Sequence, residues 1–455
     1  MIKMPDKKVT IIGAGMGGSL LAIYLARRNF DVEIYESRES VENLPVVSYK
    51  SINQSLCVRG IRALQEVHLW DEVKKLCTRE AGRIIHQKNG LLYQAYGEKQ
   101  GLAEWSINRN DLNRALTSEM KKYPTITTHY NERCLEIDVE KREIELEHTT
   151  TKARSRLRVE FLVGADGIHS AVRKAMEQEG HVTSKLETMD WGYKNMYIKG
   201  PQDGVVPFQR NAFHLWSKKH AAVFGIPNRG NFFTCTITLP LTGPDSFESI
   251  QDKPSFEKFF SEYFPDLYPH LVPCVEDFLS QPATPFTSLY TSKWYYRDFC
   301  TLLGDAAHAV TIFYGQGINA AFEDCRIFAE CLDLYYPDLE TVFQMFETRR
   351  KPDTDVLADV CKARFIDLKD RYESPWFVSR SNVEMLLENY FPTKFHSLYT
   401  LIVHTTMSYA GAYKRYRKER HFVRSLGMDA LVLGYTLTYV VRDFFRKLQK
   451  SENAS

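Results

Sequence analysis

The sequence predicts an α/β protein with a nucleotide site at the edge of a parallel sheet. Three short stretches make that prediction. The first is the β-branched run Val9-Thr10-Ile11-Ile12, ending in Gly13-Ala14-Gly15-Met16-Gly17-Gly18. The second is Phe161-Leu162-Val163, ending in Gly164-Ala165-Asp166-Gly167. The third runs from Phe299 to Leu303, ends in Gly304-Asp305, and continues through Gly315-Gln316-Gly317-Ile318-Asn319. Each is a hydrophobic strand stopping at glycine just before a helix. One such turn is ordinary; three in one chain go beyond chance.

In order, Gly13, Gly15 and Gly18 match G-x-G-x-x-G, and an apolar periodic helix follows (Leu20, Leu21, Ile23, Tyr24, Leu25). A second strand, Val32 to Tyr35, ends at Glu36. The acid lies at the offset of about 20 residues expected of a Rossmann-like dinucleotide site, where it holds ribose hydroxyls. An acid there suits an unphosphorylated ribose, as in FAD or NAD. In the third stretch, bare N–H groups at a helix N-terminus suit an anion or electron-rich ring. Asp305, a carboxylate that only accepts hydrogen bonds, suits a hydroxylated chain.

Between these stretches, Arg83 to His86 and Leu91 to Gly97 read as a hairpin turning at Lys88-Asn89-Gly90. Ile107-Asn108-Arg109 leads into a helix, and Arg109 reads equally as a phosphate ligand or a solvated surface charge. Cys134 to Val139 and Glu143 to Glu147 form a second hairpin. From Trp191 to Asp298, aromatic strands alternate with loops and predict an antiparallel sheet joined by the Arg83–Tyr96 hairpin. Such a sheet suits an aromatic substrate, and equally it is how sheets are cored. After Asp305 the pattern is helical: Leu339 to Arg350, a break at Lys351-Pro352, Val356 to Lys369, and Val383 to Tyr390.

The resulting organisation is a discontinuous nucleotide-binding domain (1–75, 100–180 and 299–355), a β-sheet substrate domain (76–99 and 181–298), a C-terminal helical region (356–426) and a tail (427–455). Basic residues crowd Tyr413 to Arg424, followed by the apolar run Ala430 to Val441 and then Arg442 to Lys447. That run is short of the ~20 residues a bilayer-spanning helix needs. Two readings fit 413–447: peripheral membrane contact through an interfacial segment, or a helix docked on the core.

At 455 residues the chain exceeds a single core, and a net charge of +2 lends no support to nucleic-acid binding. Nine cysteines without a C-x-x-C pair suggest reduced thiols and no zinc site. The strand at Lys8 follows the N-terminus with no apolar leader before it. The expected location is cytoplasmic, or cytosol-facing and membrane-associated.

In this order, the three fingerprints resemble those of the single-component FAD-dependent aromatic hydroxylases. Gly304 to Ala309, Gly315-Gln316-Gly317, Asn319-Ala320 and Phe322 to Cys325 carry the resemblance, with Ser51-Ile52-Asn53, Arg59-Gly60, Ser374 to Phe377 and Leu398-Tyr399-Thr400. It spans about residues 8 to 420 and narrows to the branch that acts on an aromatic amino acid. It implies a Rossmann-like FAD-binding domain, an antiparallel substrate sheet and a C-terminal helical region. FAD would be the bound cofactor. NADPH or NADH would be a transient co-substrate, and O₂ would supply an oxygen to the aromatic ring. Position by position, the implied FAD contacts are Gly17, Glu36, Arg38, Leu56, Arg109, Leu135, Asp305, Ile318 and Asn319, beside the fingerprint residues Gly13, Gly15, Gly18, Asp166 and Gly317. Arg83 and Tyr96 match the pair that binds the substrate's carboxylate, and Tyr399 a later tyrosine of that pocket. An arginine fork with phenols is a natural carboxylate clamp.

The chain departs from the pattern at Arg364, where the family has Asn, at Asp367 in place of Glu, and at Ile312 in place of Pro. An added guanidinium favours a more acidic substrate or needs a carboxylate beside it. Two further readings therefore stand: the same chemistry on another aromatic compound, and a flavin-binding membrane-associated protein with little hydroxylase activity. No metal site and no general base are expected, and His308 reads as part of the flavin loop.

Overall fold

A six-stranded sheet carries the three fingerprints side by side. Its order is Tyr295–Tyr296, Cys300–Leu302, Leu162–Gly164, Lys8–Ile12, Asp31–Glu36 and Ile126–Tyr130. All neighbours are parallel except the first pair, with Thr10 opposite Leu162 and Leu162 opposite Cys300. The three strands that end in glycine motifs are thus adjacent, and their carboxyl ends open on one edge. In such sheets ligands bind beyond that edge. The strands read as unbroken apolar runs because both faces are covered. One cover is the helix Met16–Ala26, buried over nearly its whole length; another is Gly317–Tyr335. The computed structural model describes residues 7–43, 52–87, 90–97, 101–199, 208–218, 220–370, 375–391, 393–425, 433–434 and 436.

The aromatic region forms a seven-stranded sheet, ordered Thr284–Thr291, Ser184–Lys199, Phe232–Pro240, Ala221–Pro227, Ala212–Lys218, Gly82–Gln87 and Gly90–Ala95. The Gly82–Gln87 and Gly90–Ala95 hairpin joins this sheet as expected, through a parallel pairing with Ala212–Lys218. Lys88 and Asn89 of its turn lie outside the described residues, as do Ser51 and Ser374. Phe233, Phe256, Phe260, Phe264 and Phe278 pack one side of the sheet. The helix Lys253–Tyr263 that brings Phe256 and Phe260 starts at a reciprocal Asp252–Ser255 capping box.

A small antiparallel sheet, Asn53–Leu56, Glu104–Asn108 and Thr78–Glu80, lies between the two large ones. Ser106 Oγ donates to Pro227 O at 2.8 Å on one side. Asn319 Nδ2 donates to Ser55 O at 2.7 Å on the other. Both contacts matter below, because this small sheet positions polar side chains between the nucleotide edge and the aromatic sheet.

Two helical expectations change. The break at Lys351-Pro352 is absent: one helix, Leu339–Asp370, runs through Pro352. A mid-helix proline forfeits one hydrogen bond, but here the flanking turns are anchored by packing. Arg350 sits in a buried ion network, and Leu357, Val360 and Cys361 are buried one turn on. The basic segment belongs to the helix Tyr409–Ser425, whose Tyr409 and Ala412 are buried in the core. Its Arg415 pairs with Glu419 at 2.6 Å, while Lys414, Arg417 and Lys418 stay exposed. Docking therefore describes the start of this helix. The tail 427–455 lies outside the described residues apart from 433, 434 and 436. Among the described residues no helix is long and apolar enough to cross a membrane.

Candidate active site

The glycines of the first fingerprint divide into two jobs. A Cβ on Gly18 would stand 2.0 Å from Gly13 O, and one on Gly13, at φ +101°, 2.6 Å from Ala165 O. These two let strand, helix and the second fingerprint meet. Gly17 faces Leu303 and Ala321 on the covering side. At Gly15 a Cβ would meet nothing within 4 Å, so that glycine leaves room at the helix N-terminus. Glu36 ends the second strand almost fully buried and accepts from Ala14 N at 2.9 Å. It also accepts from Arg38 N and Nε at 2.9 and 2.8 Å. Burial raises its carboxyl, but the Arg38 bonds and charge outweigh that and hold it below the usual range.

In the third fingerprint Gly304 takes φ +62°, and Asp305 opens a short helical turn, Asp305–His308. Asp305 is exposed although its neighbours Gly304, Ala306 and Ala307 are buried. Its buried surroundings push its carboxyl up, against the pull of His308 and Arg109. Arg109 heads the helix Arg109–Met120. Burial lowers its guanidinium and Arg38 lowers it further, with Asp305 opposing. Asp166 accepts from Ala171 N at 2.6 Å through Oδ2, while Oδ1 is buried without a partner. Arg173 fastens the second fingerprint to the third, donating to Ile168 O at 2.6 Å and Ala306 O at 2.9 Å.

The remaining expected cofactor residues differ in what they have free. Leu135 is exposed on the strand Glu132–Asp138, whereas Leu56 and Ile318 are buried. The Asn319 side chain is fully engaged, accepting from Cys57 N at 2.9 Å and donating to Ser55 O and Gly315 O. It holds the small sheet to the start of the helix Gly317–Tyr335, which leaves only its backbone to face a ligand. Together these features fit FAD: room at Gly15 for a pyrophosphate, Glu36 for ribose hydroxyls, and Asp305 and the orphaned Asp166 oxygen as acceptors below.

A buried ion network supports the third fingerprint, and sequence reasoning did not find it. Asp324 Oδ2 accepts from Gly304 N at 3.1 Å and lies 2.6 Å from His308 Nε2. Its Oδ1 accepts from Arg350 Nε at 2.7 Å. Arg350 also reaches Glu323 at 2.8 Å, and Glu323 pairs with Arg59 at 2.9 Å. Arg59 further donates to Met407 O and packs 4.0 Å from the Tyr409 ring centroid. His308 is thus a structural partner of Asp324. The available signal was the adjacent Glu323-Asp324 pair flanked by the apolar Ala320-Ala321-Phe322 and Cys325, since buried charges require partners.

On the substrate side, Arg83, Tyr96 and Tyr399 come together. The Arg83 guanidinium lies 5.4 Å from the Tyr399 ring, and Tyr399 stacks on Tyr96 at 5.8 Å and on Tyr314 at 5.9 Å. Arg83 Nε donates to Gln94 Oε1 at 2.8 Å. The Tyr399 hydroxyl donates to Glu104, which with Glu80 was not anticipated: acids at strand ends read as surface residues. Arg364 lies beside Tyr314, the ring that stacks on Tyr399. Burial raises the Tyr314 phenol, the charge of Arg364 opposes that, and Asp367 adds to it. Beyond it, Phe313, Phe365, Trp191 and Phe224 line a small cleft together with Lys218 and Lys369. Ile312, next to Phe313, is exposed.

A nucleotide edge of this kind facing an aromatic-lined sheet defines an FAD-binding monooxygenase. The family model described as an FAD binding domain matches residues 6–337, and the chain belongs to that family. Among curated relatives it is similar to kynurenine 3-monooxygenase of Legionella pneumophila, 35% identical over 410 residues, covering 89% of this chain and 90% of that protein. The protein of that name from Sus scrofa is 31% identical, covering 95% and 92%. Among solved structures, 2-methyl-3-hydroxypyridine-5-carboxylic acid oxygenase superposes with a TM-score of 0.67 at 18% identity, over 85% of this chain and 96% of that one. PqsL of Pseudomonas aeruginosa gives 0.66 at 20%, over 80% and 97%. These two establish the fold.

Proposed function

We propose that this FAD-dependent aromatic monooxygenase hydroxylates L-kynurenine, converting kynurenine, NADPH, a proton and O₂ into 3-hydroxykynurenine, NADP⁺ and water. The observation that carries the proposal is the cluster of Arg83, Tyr96 and Tyr399, stacked through Tyr314 onto the loop that bears Asp305. Relatives of that name, matched over nine-tenths of both chains, support it.

FAD, when bound, would supply the oxygen-transfer chemistry, with NADPH as the source of electrons and O₂ as the source of oxygen. The protein's part is placement. Glu36 takes the ribose hydroxyls, the N-terminus behind Gly15 the pyrophosphate, and Asp305 the hydroxylated chain. Gly13, Gly17, Gly18 and Gly317 shape the backbone there; Arg38, Leu56, Arg109, Leu135, Asp166, Ile318 and Asn319 complete the cradle. Arg83 grips the substrate's carboxylate, and Phe313, Phe224 and Phe365 offer its ring an apolar surface.

The test is NADPH consumption by the purified yellow protein with and without L-kynurenine, with the product identified by mass. Stimulation with a product one oxygen heavier supports the reading. Stimulation without that product makes kynurenine an effector, and no stimulation with FAD bound points to another aromatic substrate. Arg364 beside Tyr314 favours that second reading, because it adds a cation where the family has an amide.

A further inference from the structure

The seam between the small sheet and the aromatic sheet holds an arrangement that the carboxylate clamp does not need. Glu80 and Glu104 stand directly opposite one another on antiparallel strands, 2% and 5% exposed. Like charges at opposed positions destabilise a sheet, and buried carboxylates are costly without partners. Yet Glu104 is held only by hydroxyls: Tyr399 donates to Oε1, and Ser55 Oγ to Oε2 at 2.7 Å. Among the described residues neither glutamate joins an ion pair.

Two further groups are left wanting partners. Glu80 Oε1 has no hydrogen bond, and burial together with the charge of Glu104 pushes the Glu80 carboxyl well above its usual range. His404 is 8% exposed, and neither ring nitrogen finds a partner. Its ring nevertheless lies 5.4 Å from that of Tyr96 and 6.0 Å from that of Tyr399. Burial holds it below its usual range, so it is a neutral ring with one acceptor nitrogen. A guanidinium, a carboxylate and orphaned acceptors therefore surround the same two phenols.

We propose that Glu104, which meets the hydroxyl of the ring beside Arg83, is the subsite for the substrate's α-ammonium group, so that the pocket selects a zwitterionic aromatic amino acid. This rests on the reading that the substrate is such an amino acid. A zwitterion carries both charges on one carbon, and a pocket with one cation and one carboxylate matches it without net charge. Glu80, opposite Glu104, offers the cation a further oxygen through its unpartnered Oε1. Ser55 and Tyr399 orient the carboxylate, and the free His404 nitrogen is placed to accept from the ammonium.

The test compares L-kynurenine with 4-(2-aminophenyl)-4-oxobutanoic acid, which lacks only the α-amino group. Each is titrated into the holoenzyme by perturbation of the flavin absorbance and by KM and kcat for NADPH oxidation. In the wild type the analogue is expected to bind about 10- to 100-fold more weakly, and in Glu104→Gln within about threefold of kynurenine. Should Glu104→Gln lose its flavin, Tyr399→Phe asks the same question by removing the hydroxyl that orients Glu104, and it should narrow the gap in the same direction. Equal binding of the two ligands by the wild type, with kynurenine turned over, overturns the ammonium subsite and leaves the hydroxylase reading standing. Tighter binding of kynurenine that depends on Glu104, without hydroxylation, supports the subsite and overturns the hydroxylase reading. If neither ligand binds, both fall.

Discussion

Replacing Asp324 by alanine removes the group on which the third fingerprint rests. Its carboxylate serves Gly304 N, His308 Nε2 and Arg350 Nε, at 3.1, 2.6 and 2.7 Å. The variant leaves a fully buried guanidinium with Glu323 at 2.8 Å and Asp353 at 3.7 Å as its remaining carboxylates, and strips the acceptor from Gly304 N–H one residue before Asp305. Breaking a buried ion pair by removing one partner costs about 3–5 kcal/mol. Against a total stability of about 5–15 kcal/mol, that is a large share. Urea unfolding of the holoenzyme should show the loss, together with early release of flavin. The acid side adds a sign. Burial raises the Asp324 carboxyl, but His308 and Arg350 more than offset it, and its native pKa is depressed. Its contribution is therefore complete above the unfolded carboxylate range, about pH 4, and is lost as pH falls through the lower native value. Asp324→Asn lacks that loss, so its deficit against wild type should narrow on acidification. A deficit in Asp324→Ala below about 1 kcal/mol, the size of an ordinary surface change, would refute the reasoning. So would a constant gap between wild type and Asp324→Asn.

Other consequences are as direct. Gly15→Ala should fold with unchanged circular dichroism but lose FAD, since its methyl enters open space; Gly18→Ala should fail to fold, since its methyl meets Gly13 O. Asp305→Asn should weaken FAD binding while leaving the thermal melt of the flavin-free protein nearly unchanged, because the side chain is exposed. Arg83→Met should raise KM for L-kynurenine by about 10- to 100-fold, the worth of a charged hydrogen bond, with a smaller effect on kcat. Unchanged KM would remove Arg83 from the substrate.

Much of this site is visible along the chain because its parts are local. Gly13 to Gly18, Gly164 to Gly167 and Gly304-Asp305 each place glycine where a strand must turn, and parallel pairing alone brings the three ends together. Arg83 and Tyr96 share one hairpin, but Tyr399 lies some three hundred residues further on, and without the family resemblance nothing in the local pattern joins it to them. The network of Arg59, Glu323, Asp324 and Arg350 is harder still, since each charge on its own helix reads as solvated. Glu80 and Glu104 depend on strand register, which periodicity cannot supply. Pro352 misled for the converse reason: its local rule is sound, and buried packing on either side overrode it.

Incorporation of labelled oxygen tests the central claim most directly. The holoenzyme is turned over with NADPH and L-kynurenine under ¹⁸O₂ in ordinary water, and the product is examined by mass. An FAD-dependent aromatic monooxygenase places one heavy oxygen on the ring and makes product in step with NADPH consumed. A product whose new oxygen comes from water, or NADPH consumption that yields no hydroxylated ring, would contradict the account.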